Sequence, residues 1–204
     1  LKTVATDSHR MSQKVITLEK NGDNFDVVIP SRSLREFTSV FSDDIETVEV
    51  FFANNQILFR SEHISFYTRL LEGNYPDTDR LIPTEFNTEA TFNVANLRFA
   101  MERARLLSNA TQNGTVKLEF KNGVVSSHVH SPEVGRVNEE IDTSAVSGED
   151  LSISFNPTYL IEALKAIDSE QVVIRFISSV RPFTLVPEGN EQGFIQLITP
   201  VRTN

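Results

Sequence analysis

Cysteine is absent from this chain. There is therefore no disulfide framework, no thiolate nucleophile and no cysteine-based zinc site. No apolar run approaches the roughly 18 residues that cross a bilayer as a helix, and no signal peptide opens the sequence. The expectation is a cytoplasmic protein with no membrane partner. A phosphate-cradling glycine loop, a nucleophile elbow and a dinucleotide fingerprint are all missing, so enzyme signals are poor and no cofactor is expected. Positive charge is in deficit: 19 Lys and Arg stand against 28 Asp and Glu, a net charge of −9. That balance argues against a generic nucleic-acid coat, whose electrostatic footprint is basic.

What is present is ordinary in amount and unusual in order. With 204 residues, 39% hydrophobic and 23% charged, the chain can form two modest domains or one large one. Three stretches repeat at a spacing of 63 residues. Val27–Ile29 runs towards Leu34, Thr91–Phe92 towards Leu97, and Ile153–Phe155 towards Leu160. Each opening strand leads to an amphipathic helix: Leu34, Phe37 and Phe41; Leu97, Ala100, Met101 and Ala104; Leu160, Ala163, Leu164 and Ile167. Pro30-Ser31 and Asn156-Pro157 mark helix starts. Short strand-like runs follow each helix, including a hairpin at Asn122-Gly123. Lys2–Ala5 and Lys14–Leu18 read as strands with no helix before them, the end of an earlier copy.

An internal repeat of this kind is one supersecondary unit with an apolar face to bury. The expected fold class is α+β, built of repeated strand-helix-strand-strand-strand units, with helices on one face and antiparallel sheets on the other. The Pro-containing stretch Ile82–Thr88 reads as the boundary between two domains. The Ser, Gly and acidic stretch Thr143–Asp150 reads as a surface loop.

Few residues suggest reaction chemistry. His128 and His130 are two apart on a predicted strand and share a face, as a metal pair would, but no third ligand stands at a recognisable spacing. They motivate the rival reading, a metal-dependent hydrolase on a repetitive α+β scaffold. Asp77 and Asp79 form a lone D-x-D pair, and His63 has no evident partner. No catalytic residue and no metal ligand is assigned. Basic residues sit better: Arg32 and Arg35 lie on the first helix, Arg98, Arg103 and Arg105 on the second and Lys165 on the third. A shared positive face would give sequence-independent phosphate contacts. Glu36, Glu102 and Glu162 lie on the same helices, so charge alone leaves ordinary solvated faces equally open. Leu106 and Leu107 cannot both join the core stripe, which suggests a subunit contact or simple helix-end packing.

Three motifs go further. Val4-Ala5-Thr6-Asp7-Ser8-His9-Arg10-Met11 resembles the V/A-x-T-D-G-H-R-L segment of the bacterial DNA polymerase III β subunit family, the sliding clamps. Glu72-Gly73-Asn74-Tyr75-Pro76-Asp77 with Arg80-Leu81-Ile82-Pro83 is similar to its G-x-[FY]-P-D-x-x-x-[VL]-[IL]-P connection. The ending Leu197-Ile198-Thr199-Pro200-Val201-Arg202 resembles its terminal L-[IM]-x-P-[VM]-R, in the Gram-positive style. The motifs keep the family's order and span nearly the whole chain.

The resemblance implies a DNA-clamp fold, with three domains of two repeat units per subunit and two subunits closing into a homodimeric ring around duplex DNA. Residues 1–83 would be the later part of the middle domain and 84–204 the C-terminal domain, so the chain looks like a fragment, expected to be a monomer or a non-native association instead of a closed ring. It further implies a non-catalytic processivity factor that tethers the polymerase III α subunit, the clamp loader and other proteins through short peptides. Carried over residue by residue, the peptide pocket would hold Thr6, Ser8, His9, Arg10, Met11, Pro76, Arg80, Leu81, Pro182, Leu197, Thr199, Pro200, Val201 and Arg202. Ser8 departs from the family's common Gly and Thr199 from the Met of some members, leaving ligand preference open there. Arg32, Arg35, Arg98, Arg103, Arg105 and Lys165 would face DNA, and Leu106 and Leu107 the partner subunit. By chemistry alone, Met11, Leu81, Leu197 and Val201 would form an apolar cavity with His9, Arg10 and Arg202 as donors at its rim.

Overall fold

A computed structural model of the chain describes residues 1–18, 24–41, 45–108, 114–131, 135–190 and 193–202. It divides into two compact units, one made of Leu1–Leu18 with Thr78–Asn204 and the other of Glu19–Asp77.

In the larger unit, β1 (Lys2–Thr6) and β2 (Arg10–Val15) form a hairpin. β6 (Thr88–Asn93) leads into α2 (Val94–Ser108); the helix before it in the chain, α1 (Ser31–Val40), belongs to the smaller unit. Then come β7 (Val116–Lys121), β8 (Val124–Ser131), β9 (Gly135–Ile141), β10 (Ala145–Gly148) and β11 (Leu151–Phe155). α3 (Pro157–Lys165) precedes β12 (Gln171–Phe176), β13 (Phe183–Pro187) and β14 (Phe194–Ile198). One antiparallel sheet runs β1-β2-β14-β13-β12-β6-β10 and a second runs β11-β7-β8-β9. The two helices pack against each other and share one core with both sheets. Leu97, Met101, Leu160 and Ile161 from the helices meet Phe92, Phe120, Phe155, Phe176 and Phe183 from the strands. Each such side chain contributes roughly 1.5–3 kcal/mol by leaving water, and the phenylalanines also pair ring to ring at 4.9–5.2 Å.

Local chemistry explains the ends of these elements. Asn156 caps α3, its side-chain oxygen accepting the Thr158 N–H at 2.9 Å, and Pro157 takes the first helical position where its missing N–H costs nothing. Asn122 and Gly123 both adopt positive φ, 52° and 77°, as a two-residue hairpin requires.

The smaller unit carries α1 (Ser31–Val40) on a three-stranded meander of β3 (Glu49–Ala53), β4 (Gln56–Arg60) and β5 (Ser65–Arg69). Its core is largely aromatic: Phe37 stacks on Phe41 at 4.5 Å and meets Phe59 at 4.6 Å, with Phe66 beside them. Ile57 is buried beneath.

Five local features depart from expectation. Val27–Ile29 is no strand: only Val28 bridges, to Leu71. The second strand stops at Val15, leaving Ile16–Leu18 exposed. The stretch 143–150 is not all loop. Ala145–Gly148 pairs with β6, fixed by Thr88 Oγ1 donating to the Glu149 carbonyl at 2.7 Å. Gly148 allows this close approach, with φ +98° and a Cβ that would lie 1.9 Å from the Asn87 carbonyl oxygen. β9 is a strand that its residues do not suggest, polar along most of its length with Ile141 its buried anchor. In α1, Leu34 remains 41% exposed although it shares a stripe with Phe37 and Phe41.

Candidate functional site

Asp7 organises the first motif. Its Oδ1 accepts the backbone N–H groups of His9 and Arg10 at 2.8 and 3.0 Å, an Asx turn that reverses β1 into β2. Thr6 Oγ1 donates to the Arg10 carbonyl at 2.9 Å, and the Asp7 N–H donates to the same carbonyl at 3.1 Å. The Arg10 guanidinium then closes the turn, Nε donating to Asp7 Oδ2 at 3.0 Å. Its Nη1 is ion-paired with Glu162 on α3. The guanidinium also lies 4.8 Å from the ring centre of Tyr159, against which His9 stacks at 5.9 Å and 15°. Burial pushes the Asp7 carboxyl up, but the His9 and Arg10 hydrogen bonds outweigh it and hold it below its ordinary value. The Arg10 guanidinium is held above its ordinary value by its bond to Glu162, against desolvation and with help from Asp7.

The tail closes on this turn. β14 pairs with β2 in a register that sets Leu197 opposite Met11 and Ile198 opposite Arg10. Beyond the strand, the Thr199 N–H donates to the His9 carbonyl at 2.8 Å, and the Val201 N–H to the Ser154 carbonyl at 2.7 Å. The connecting segment is tied to the same unit by a 3-10 turn at Asp79–Leu81 and an ion pair from Lys2 to Asp79. Of the residues expected to form a pocket, Thr6, Ser8, His9, Arg80, Leu81, Val201 and Arg202 are exposed. Arg10, Pro182, Thr199 and Pro200 are half-buried, whereas Met11 and Leu197 are buried. Pro76 belongs to the other compact unit.

Two expectations about this chemistry need revision. Met11 is 2% exposed against 50% for Leu81, so Met11 supports the sheet as well as any cavity wall. Arg10 is not a free rim donor, because two carboxylates already hold it. Asp7, Tyr159 and Glu162 were not expected in the site. Asp7 could have been found from the turn chemistry of Asp followed by polar residues; Tyr159 and Glu162 stand three apart on α3, which places them on one helix face.

The basic helix residues differ among themselves. Arg32, Arg35 and Lys165 are exposed, although Arg32 pairs with Glu36 at 3.0 Å. Arg98 and Lys165 line one shallow depression between α2 and α3, with Glu102 3.8 Å from Arg98. Arg103 is ion-paired with Glu139 on β9, which raises its pKa despite desolvation. Arg105 is half-buried. At the end of α2, Leu106 is 72% exposed while Leu107 packs on the core. The histidine pair is occupied otherwise: His128 bonds Ser126 Oγ and Asn138 Oδ1, both at 2.8 Å, and His130 accepts from Arg136 at 3.3 Å. Among the described residues no three His, Asp or Glu side chains converge as metal ligands, and no helix is long and apolar enough to cross a membrane.

Comparison with known proteins matches the C-terminal domain of the DNA polymerase III beta subunit over residues 79–202 and its central domain over residues 1–77. The chain belongs to the DNA polymerase III beta subunit family. It is 80% identical over 204 residues to the beta sliding clamp of Streptococcus pneumoniae and 55% identical over 206 aligned positions to that of Lactococcus lactis. All of this chain is covered in both matches but only 54% of each relative, so the chain spans about half their length. The crystal structure of the S. pneumoniae DNA polymerase III beta chain superimposes with a TM-score of 0.96, covering 99% of this chain and 54% of that one. The Bacillus subtilis DNA polymerase sliding clamp, 38% identical, superimposes with 0.94, covering 100% and 54%. The clamp fold expected from the motifs is thus the fold of this chain, and nothing in these likenesses supports a hydrolase.

Proposed function

We propose that this chain is the partner-docking half of a sliding clamp, a non-catalytic processivity factor that works on duplex DNA in the cytoplasm. In the longer protein two subunits would close into a ring, with α1, α2 and α3 turned towards the DNA and Leu106 and Leu107 against the neighbouring subunit. Residues 1–83 would then belong to the middle clamp domain and 84–204 to the C-terminal one. Arg32, Arg35 and Lys165, exposed on their helices, favour a DNA-facing role most; Arg98 and Arg105 contribute from half-buried positions, and Arg103 least because Glu139 engages it. Such contacts are sequence-independent and weaken with salt.

The observation that carries the docking reading is the Thr199–His9 hydrogen bond together with the Met11–Leu197 register. They bring the first and last motifs, nearly the whole chain apart in sequence, to one place, on the hairpin whose Lys2 holds the connector that bears Arg80 and Leu81 through Asp79. Exposed Leu81 and Val201 offer apolar contact; Thr6, His9 and Arg202 offer polar groups that orient a ligand. The ligands would be short peptides of the polymerase α subunit, the clamp loader and other DNA-processing proteins. Calorimetry with a peptide bearing aliphatic and aromatic anchors tests this. Leu81→Glu should weaken binding at least tenfold with an unchanged unfolding midpoint. Met11→Glu should lose stability as well, because it buries a charge in the sheet. Unchanged affinity in Leu81→Glu would refute the docking site.

A further inference from the structure

Two positions after Leu34, Leu97 and Leu160 the repeat carries Glu36, Phe99 and Glu162. All three are exposed. A position that two copies fill with glutamate is one the fold leaves to water, so burial does not account for an aromatic ring there. Phe99 is 49% exposed, and Leu97, Ala100, Met101 and Ala104 complete the buried stripe of α2 without it.

The ring has charged company. The Arg98 guanidinium lies 5.3 Å from its centre. Arg98 Nε is closed off from solvent and has no hydrogen-bond partner among the described residues. Glu102, 3.8 Å away, is beyond hydrogen-bond reach. Arg98 also lines the depression between α2 and α3, a space of about 200 Å³ that Lys165 and Glu170 share. Other polar side chains there are engaged: Asn93 Oδ1 accepts the Asn96 N–H at 3.0 Å, and Ser169 Oγ donates to the Gln171 carbonyl at 2.6 Å. A half-open aromatic ring beside two cations combines the two parts of a single-strand site, a stacking surface and a phosphate contact.

We propose that Phe99, Arg98 and Lys165 form a seat for one nucleotide of an unpaired DNA strand. The base covers the Phe99 ring and its phosphate meets the guanidinium and the ammonium. Every base has a π-face, so the seat is indifferent to sequence. A base inside a duplex is already stacked on its neighbours and leaves Phe99 uncovered, so the ring favours single strand while the cations serve both forms. This goes beyond the duplex reading of the helices and shares with it only the phosphate contacts.

The test measures fluorescence anisotropy of the whole 204-residue chain at low salt with labelled oligothymidylate, an abasic oligomer of the same length and a matching duplex. Oligothymidylate should bind more tightly than the abasic strand. Phe99→Ala should weaken oligothymidylate about fivefold or more, with the abasic strand and the duplex within about twofold and the unfolding midpoint unchanged. Phe99→Trp should restore the loss. Lys165→Gln should weaken all three ligands and flatten their salt dependence. No binding of oligothymidylate, no loss in Phe99→Ala, or an equal loss for all three ligands overturns the inference and leaves the peptide-docking reading untouched. A fall in molar mass by light scattering in Phe99→Ala would assign the ring to a contact between copies of the chain, and overturns it as well.

Discussion

Leu34, Leu97 and Leu160 hold the same place in three copies of one motif, yet the first is 41% exposed and the other two are wholly buried. The residue type and the helical stripe are the same in each. What differs is the company each helix keeps. α2 and α3 lie against each other over two sheets, so each stripe is enclosed from more than one side. α1 has a single three-stranded sheet within its unit, wide enough to bury Phe41 and partly cover Phe37 but not Leu34. One copy of the repeat makes a small aromatic core; two copies together make a domain interior. This agrees with the requirement that a repeat unit bury its apolar face against a neighbour.

Truncating the equivalent leucines should separate the copies of the motif most. Leu160→Ala should cost about 2–5 kcal/mol in urea unfolding, as buried leucines do when a cavity remains. Leu34→Ala should cost less than about 1 kcal/mol, being nearer a surface change. Equal costs would mean that α1 is as enclosed as α3. A smaller contrast lies in the helix starts. Asn156 makes a capping hydrogen bond, whereas Pro30 before α1 makes none through its side chain. Asn156→Ala should therefore cost roughly 1 kcal/mol, and Ser31→Ala a few tenths, by the same measurement.

The smallest effect separates two of the hairpin turns. The turn after β1 depends on Asp7, whose carboxyl is held below its ordinary value, while the turn after β3 is Asn54-Asn55 and has no titrating group. A carboxylate whose folded pKa is depressed stabilises above its unfolded pKa and loses that contribution as pH falls through the folded value. Amide exchange at His9 and Arg10 should quicken, relative to intrinsic rates, at the acid end of the carboxylate range. Exchange across Asn54-Asn55 should show no matching step.

Much of the architecture was legible in the residues. Helix stripes, the Asn122-Gly123 hairpin and the start of α3 follow from period and turn chemistry that act within a few residues. β10 and β9 were not legible, because their pairing is set by partners: Gly148 packs on the Asn87 backbone and β9 lies on β8 with a polar sequence. The docking site divides in the same way. Its motifs mark Thr6–Met11 and Leu197–Arg202, but the Tyr159–Glu162 side of it exists only through the packing of α3 beside the first hairpin. Charge on Arg10 said what it could bind; only its neighbours decide that it is already bound.

The first hairpin, the connector turn and the tail are proposed to act as one docking surface. The decisive measurement is amide chemical-shift mapping of the isotopically labelled chain titrated with a peptide bearing aliphatic and aromatic anchors. Saturable shifts are expected at His9–Met11, Leu81, Tyr159 and Leu197–Val201. Shifts confined to α2 or to the three-stranded sheet of the smaller unit would contradict it.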